Sequence, residues 1–389
     1  MKRAKVVFIS TPALGNIVPI IEFAKLFTQK NKNLSATILL INIPQRPLVQ
    51  SYIDSLTTTT TNATGNIHFL SLPVADPPSL DQFEATIGFL SLLIQNHTLQ
   101  VKNALIDLIS DSDSGQVVGF FIDMFCTSFI DVAKELNIPC YLYVASPATF
   151  LSFMLHLPIL DAQVSTDIEY KDSANDFNIL GFSNPVPVKC FPSFMLKRHI
   201  DGYSWFLHHA TRYKETKGII VNTFQELEPF CLNSLVHTTS HVVPPIYPIG
   251  PVVDHNGPAQ WHQDSWGHEN VMKWLDNQEP SSVIFLSFGS MGSLKDSQVK
   301  EIAKEQHLNA FELVKELDLA VEITMDYRDG TTLVSSEEVA KGVKKLMDGD
   351  GEVRQKFKKM SEKCKDVWKE NGSSSNFLGH LIDELMAVI

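Results

Sequence analysis

The chain has 389 residues, 44% of them hydrophobic, which is enough apolar material for two domains of ordinary size. Its 32 basic and 44 acidic side chains give a formal net charge of −12 at pH 7. Because a negative field repels phosphate polymers and anionic lipid surfaces, we expect neither nucleic acid nor a membrane among its partners.

The N-terminus and the cysteines favour a cytoplasmic protein. The apolar run 6–9 is too short for the apolar core of a secretion signal and ends in strand-like residues. The most apolar stretch, 147–160, carries Ser152 and His156 and is shorter than the roughly 20 residues that span a bilayer. The five cysteines form no closely spaced pairs, which is typical of reduced thiols in the cytosol.

The first 250 residues alternate short β-branched runs with longer helical patterns. Strands are predicted at Lys5–Ser10, Ser35–Ile41, Ile67–Leu72, Val117–Asp123, Cys140–Val144 and Gly218–Thr223. Apolar positions at helical spacing predict helices at Ile17–Gln29, Leu80–Ser110, Cys126–Leu136, Ser146–Leu160 and Gly202–Lys214. This alternation is typical of a doubly wound α/β domain, whose parallel sheet is covered on both faces.

The chain is polar and loses its periodicity between 251 and 269, as an interdomain linker does. We therefore predict an N-terminal domain over 1–250 and a second domain over 270–389.

The second domain contains few strand patterns. A helix at Val271–Leu275 and a strand at Ser282–Ser287 open it, and one further strand is predicted at Leu319–Thr324. The remaining patterns predict helices near Ser336–Met347, Glu352–Lys369 and Ser375–Met386. An open α/β sheet typically holds about 5–6 strands, so part of this domain is missing from the sequence.

Several short segments carry a specific resemblance. They are Thr223–Glu228 (TFQELE), Tyr247–Pro251 (YPIGP), Trp274–Asp276 (WLD), Phe285–Gly292 (FLSFGSMG), Glu305–Phe311 (EQHLNAF) and the tail Gly372–Ser375 (GSSS). Together they are similar to plant family-1 UDP-dependent glycosyltransferases. The resemblance implies a GT-B fold of two facing Rossmann-like domains, with the acceptor in the first and the donor in the second, here truncated.

The resemblance also implies a reaction. A sugar, expected to be glucose, moves from a UDP-sugar to a hydroxyl of a small hydrophobic plant metabolite such as a phenolic or a terpenoid. The UDP-sugar is a co-substrate, and no cofactor or metal is expected.

The catalytic positions that the resemblance implies are Asn16 and Asp123. The family has a His base where this chain has Asn16, and an amide cannot take a proton at neutral pH. Asp123, at the end of a predicted strand, matches the Asp that orients this base, although a helix N-cap is an alternative role for it. Asn16 is itself predicted to cap a helix that begins at Ile17.

The donor-binding signature is largely absent. The string His-Cys-Gly-Trp-Asn-Ser, on which the family's donor box is centred, does not occur in the chain. Ser290 matches a diphosphate contact, and Glu305 and Gln306 match contacts to the sugar hydroxyls. Because Glu305 directly continues the helical pattern that follows the glycine-rich loop, we predict an internal deletion there; a natural minimal variant is the alternative.

Three functional hypotheses remain at this point. The chain is an enzyme that works without its base, a binding remnant that holds an acceptor without transfer, or an unstable truncated product. Phe125, Phe150 and Met154 are the predicted acceptor-pocket residues, although aromatic residues at helical spacing are more often core. A nicotinamide-dependent dehydrogenase is disfavoured because no Gly-x-Gly-x-x-Gly follows the first strand.

Overall fold

The computed structural model describes residues 3–43, 47–59, 66–111, 115–165, 168–173, 176–238, 243–255, 265–279, 282–283, 307–323, 335–347 and 351–389. The strands in these ranges are β1 (Ala4–Ile9), β2 (Leu34–Leu40), β3 (Ile67–Ser71), β4 (Gln116–Asp123), β5 (Cys140–Val144), β6 (Asp176–Phe177), β7 (Val186–Pro187), β8 (Gly218–Val221) and β9 (Ile246–Pro248).

The α-helices are α1 (Leu14–Lys30), α2 (Pro47–Thr59), α3 (Thr86–Asn96), α4 (Thr98–Ser110), α5 (Phe129–Glu135), α6 (Ala148–Gln163), α7 (Asp201–Arg212), α8 (Pro229–His237), α9 (Ser265–Asp276), α10 (His307–Phe311), α11 (Ser336–Met347), α12 (Glu352–Asp366) and α13 (Ser373–Met386). Helix α10 continues as a π-helical turn over Glu312–Glu316. Among the described residues, none of the helices has the length and apolar character needed to cross a bilayer.

Seven strands form one parallel sheet in the order β3-β2-β1-β4-β5-β8-β9, while β6 and β7 pair antiparallel elsewhere. This confirms the predicted α/β class with a parallel sheet. Strand β9 was not predicted, because its three residues end in Pro248 and follow Pro245; proline within sheets is confined to edges, where β9 lies.

The two faces of the sheet carry separate hydrophobic clusters. Along β1, Val7 and Ile9 belong to one cluster, which α3 to α8 complete, whereas Val6 and Phe8 belong to the other, which α1, α2 and α13 complete. Successive strand side chains point to opposite faces, so a strand buried on both sides is mostly apolar. All six residues of β1 are buried, and five of them are apolar; the exception is Lys5, which pairs with Asp111.

The last helix, α13, packs on the seven-stranded sheet. A Cβ on Gly119 of β4 would lie 2.9 Å from Leu385 Cδ2, so this glycine allows the close approach of α13. The Glu384 carboxylate accepts hydrogen bonds from Tyr247 at 2.6 Å and Tyr141 at 3.2 Å and pairs with Lys217. Helix α13 is therefore held on the seven-stranded sheet by both apolar and polar contacts.

Residues 307–316 also pack against the N-terminal domain. Leu308 and Phe311 belong to the cluster of α3 to α8, and Glu316 accepts hydrogen bonds from the backbone N–H groups of Ser183 and Asn184. Side chains of this segment and of α13 therefore belong to the two hydrophobic clusters of the sheet.

A buried pair of carboxyl groups holds this segment in place. Glu228 accepts hydrogen bonds from the N–H groups of Ala148 and Thr149, at the start of α6, and Glu312 is hydrogen-bonded to Glu228. Burial and the neighbouring Glu228 raise the pKa of Glu312 to about 9. Glu312 therefore keeps its proton at neutral pH and donates it to Glu228.

Two predicted elements differ from the structure, and a third lies mostly outside the described residues. The single helix Leu80–Ser110 is two helices, because His97 leaves helical geometry (ψ of 6°) and its ring bonds to the Leu93 carbonyl and the Ala75 N–H. Residues 319–323 are not a strand; they have no partner strand among the described residues, and a strand without a neighbour has unsatisfied backbone groups. Of the predicted strand Ser282–Ser287, only 282 and 283 are described, and neither is extended in a sheet.

The Glu312 proton predicts a pH-dependent stability. Because the pKa in the folded state lies above its ordinary value of 4.5, the contribution to stability is full below about 4.5 and is lost as the pH rises through about 9. We expect the thermal midpoint to fall between about pH 5 and about pH 9, and Glu312→Gln to flatten that fall. Glu352→Gln, on exposed α12, is the matched control and should keep the wild-type slope. Equal slopes in all three proteins would contradict this.

Candidate functional site

The candidate site lies where the order of the strands reverses. From β1 the chain proceeds outward through β2 and β3 on one side, and later through β4, β5, β8 and β9 on the other. At such a point the loops after β1 and β4 diverge to opposite faces and leave a crevice at the carboxyl ends of these strands. Ser10 and Thr11 follow β1, and Asp123 ends β4, so all three lie at this crevice.

The carboxylate of Asp123 joins the two loops. One oxygen accepts hydrogen bonds from Thr11 N at 2.7 Å and Ser10 Oγ at 3.1 Å. The other accepts from Thr11 Oγ1 at 2.9 Å and from Phe125 N at 2.9 Å. The Cys126 thiol is a further partner. The sequence did not point to Ser10 and Thr11 as partners, although two hydroxyl residues directly after a buried strand were an available signal.

Burial and hydrogen bonding act on the pKa of Asp123 in opposite directions. Desolvation raises the pKa above its ordinary value, and the bonds from Phe125 and Thr11 oppose this rise. Burial and the nearby Asp123 charge raise the pKa of the Cys126 thiol, which therefore stays protonated and can donate to the carboxylate. Both carboxylate oxygens of Asp123 therefore accept hydrogen bonds from neighbouring residues of the protein.

Asn16 lies in the first turn of α1, which follows β1 at the edge of the sheet where the carboxyl ends of β1 and β4 lie. The prediction that Asn16 caps this helix is wrong, because α1 begins at Leu14 and its capping residue is Ala13. The Asn16 N–H bonds to the Ala13 carbonyl at 2.9 Å. None of the hydrogen bonds that the structure gives Asp123 reaches Asn16.

The predicted acceptor-pocket residues differ in exposure. Phe125 and Phe150 are partly buried against the cluster of α3 to α8, whereas Met154 is fully buried within it. The Phe125 ring contacts Phe206 edge-on at 5.5 Å between centroids and His209 at 5.7 Å. Because Phe125 donates its N–H to Asp123, this aromatic surface begins directly beside the crevice.

The predicted donor residues Ser290, Glu305 and Gln306 lie outside the described residues, as does the junction before Glu305. In the part of the chain that is described, no group of three or more His, Cys, Asp or Glu side chains could hold a metal ion.

Three of the similar sequence segments meet in the structure. Ser373 Oγ in the GSSS tail donates to Glu226 in TFQELE at 2.8 Å, and Ser374 Oγ donates to the carbonyl of Gly250 in YPIGP. Trp368 Nε1 donates to the Pro251 carbonyl at 3.1 Å. These segments therefore have a structural role at the junction between α13 and the sheet.

Comparisons with known proteins extend over the whole chain. UDP-glycosyltransferase 43 of Pueraria montana var. lobata is 38% identical over 482 aligned positions, which cover 99% of this chain and 100% of the relative. UDP-glucose flavonoid 3-O-glucosyltransferase 6 of Fragaria ananassa is 33% identical, with 99% of each chain covered. No protein-family model matches the chain.

Solved structures give the same result. A Medicago truncatula UGT complexed with UDP-glucose superposes with a TM-score of 0.86 at 30% identity, covering 98% of each chain. A Phytolacca americana UGT complexed with UDP-2-fluoro-glucose and pterostilbene gives 0.83 at 27% identity, covering 99% of each chain. The predicted GT-B fold is confirmed by these neighbours.

Asp123→Asn tests the joining role of the carboxylate. An amide has one acceptor oxygen and presents N–H groups to the remaining donors, so we expect a loss of about 1–3 kcal/mol in the free energy of unfolding, measured by urea denaturation. Asp107→Asn, on the exposed surface of α4, should stay within about 0.5 kcal/mol of the wild type. Equal effects of the two substitutions would show that Asp123 does not hold the loops.

Proposed function

Because this chain belongs to the plant family-1 UDP-glycosyltransferases, we propose that it binds a small hydrophobic acceptor in its N-terminal domain and transfers sugar to it slowly or not at all. The single observation that carries the proposal is Asn16 in the first turn of α1, beside a complete crevice. An amide at the position of the base leaves an acceptor hydroxyl without a group to take its proton.

The acceptor half of the proposal has support from the N-terminal sheet and its aromatic residues. All seven parallel strands and the switch point are present; Phe125 lies beside the crevice, and both Phe125 and Phe150 are only partly buried. The Fragaria relative is named for flavonoids, and the Phytolacca neighbour was solved with pterostilbene. A phenolic of this size is therefore the favoured acceptor class, with a terpenoid as the alternative.

The catalytic half follows from how Asp123 is used. In the proposed role, Asp123 would orient a base at position 16, but its oxygens bond to Ser10, Thr11 and Phe125. A carboxylate whose two oxygens already accept these hydrogen bonds is a poor substitute for a missing base. Loss of a general base typically lowers the rate by about 10²–10⁴-fold.

The donor half rests on the length of the alignment. The alignment with the Pueraria relative spans 482 positions, whereas this chain has 389 residues. The difference supports gaps in this chain relative to the Pueraria protein. We propose that an internal deletion before Glu305 removed most of the donor-binding residues. Ser290, Glu305 and Gln306 would remain as isolated contacts to the diphosphate and to the sugar.

An unstable product is the second candidate, favoured by the surface of α9. Val271, Met272, Trp274 and Leu275 are all exposed on this helix, with Trp274 at 55%. These four positions share one face of the helix, and an exposed apolar face is typical of a helix that has lost its packing partner. The five free cysteines accord with a cytosolic location, which we also propose.

Calorimetric titration with UDP and UDP-glucose tests the donor half. Losing an aromatic stack and several charged hydrogen bonds, each worth roughly 1–3 kcal/mol, should weaken donor binding more than about thousandfold. We therefore expect no measurable heat of binding from the chain as it is.

The matched control carries the corresponding segment of the Medicago protein, inserted between Ala303 and Glu305. This protein should bind UDP-glucose, and circular dichroism should show that both proteins are folded. UDP-glucose binding by the unmodified chain would mean that the remaining donor residues suffice, and the deletion would then not have removed the function.

A further inference from the structure

A cavity of about 570 Å³ lies among α3, α4, α5 and α7. Ser91 and Gln95 line it from α3, Ser128 and Asp131 from the start of α5, and Trp205 from α7. None of its lining residues is Asn16, Asp123, Phe125 or Phe150, and it adjoins the site described above where Phe125 contacts its lining residue His209. Its volume is in the range of small-molecule sites, roughly 300–1,000 Å³.

The walls of this cavity are rich in groups that bond to hydroxyls. Four hydroxyl side chains and the Gln95 amide line it, beside one large aromatic residue, Trp205. The Ser128 hydroxyl is buried and has no hydrogen-bond partner among the described residues. The other polar side chains of the wall offer hydrogen-bond donors and acceptors to a polar ligand.

The charges in the cavity cancel. Its only charged lining residues are Arg212 and Asp131, whose side chains form an ion pair at 2.6 Å. His209 bonds through its two ring nitrogens to Thr127 and Ser91, and burial lowers its pKa to about 3, so it is neutral. Burial and the nearby Arg212 also lower the pKa of His208. An anionic ligand such as a phosphate would find no unpaired cation among these lining residues.

A ligand that fits must be neutral, carry several hydroxyls and have one apolar face for the aromatic residue. A hexose has these properties, because its hydroxyls lie around the ring edge and its C–H groups form a face. A flat aromatic aglycone fits less well, since such ligands need mostly apolar walls. We propose that this cavity binds a neutral hexose unit, either free or as part of a small-molecule glycoside.

Saturation-transfer NMR on the full chain tests this, with glucose and 4-hydroxyphenyl β-D-glucoside as probes. We expect saturable binding with a dissociation constant on the order of 1 mM, and a loss of at least about tenfold in Trp205→Ala. Binding of both probes identifies the free sugar as sufficient, and binding of the glucoside alone identifies the attached sugar. Trp274→Ala, on exposed α9, is the matched control and should bind as the wild type does.

Gln95→Ala provides a second variant if Trp205→Ala fails to fold, because Gln95 is exposed on α3; it should weaken binding severalfold. Pterostilbene should not displace the sugar, since the cavity shares no residue with the acceptor region. The proposal is overturned by the absence of saturable binding of both probes, by unchanged binding in the cavity variants, or by displacement of the sugar by pterostilbene or UDP.

Discussion

The carboxylate of Asp123 is the constraint on which the functional end of the sheet depends. It ties the loop after β1 to the loop after β4, through Thr11 on one side and Phe125 on the other. These loops leave the sheet in opposite directions, so without a shared anion their N–H groups would need separate partners in a buried setting. The same bonds leave the carboxylate committed to holding the crevice together, whatever the chemistry at position 16.

The C-terminal parts that contact the N-terminal domain are held by specific interactions. Helix α13 contacts the sheet through Leu385 and bonds through Glu384, and residues 307–316 are held by the Glu228–Glu312 pair. Residues 307–316 add apolar side chains to the cluster of α3 to α8, and α13 adds them to the cluster of α1 and α2. In contrast, α9 exposes its apolar side chains, and α12 has no buried residue. The described C-terminal residues that pack on the main sheet therefore bury apolar side chains, whereas α9 and α12 leave theirs exposed.

The sequence predicted six of the strands in the main sheet, because β-branched runs such as 118–122 and 140–144 are buried on both faces and carry a strong pattern. It also located Asp123, since a polar residue at the end of a buried strand is conspicuous. It could not predict the break at His97, whose ring accepts a long-range hydrogen bond from Ala75 N, nor the pairing of Glu228 with Glu312, which are far apart in the chain. Contacts of this kind depend on the fold and have no local sequence pattern. The start of α1 was predicted at Ile17 and lies at Leu14, because the residue at the N-cap is Ala13, which has no side chain that signals a cap.

The central claim is that the N-terminal domain keeps an acceptor site without help from a donor. Titration of the purified chain with pterostilbene in the absence of UDP-glucose, followed by calorimetry, tests this directly. The account predicts saturable binding that Phe125→Ala weakens by about tenfold, while Phe357→Ala on exposed α12 leaves it unchanged. A folded chain that binds no pterostilbene, or binds it equally well without the Phe125 ring, would contradict the account.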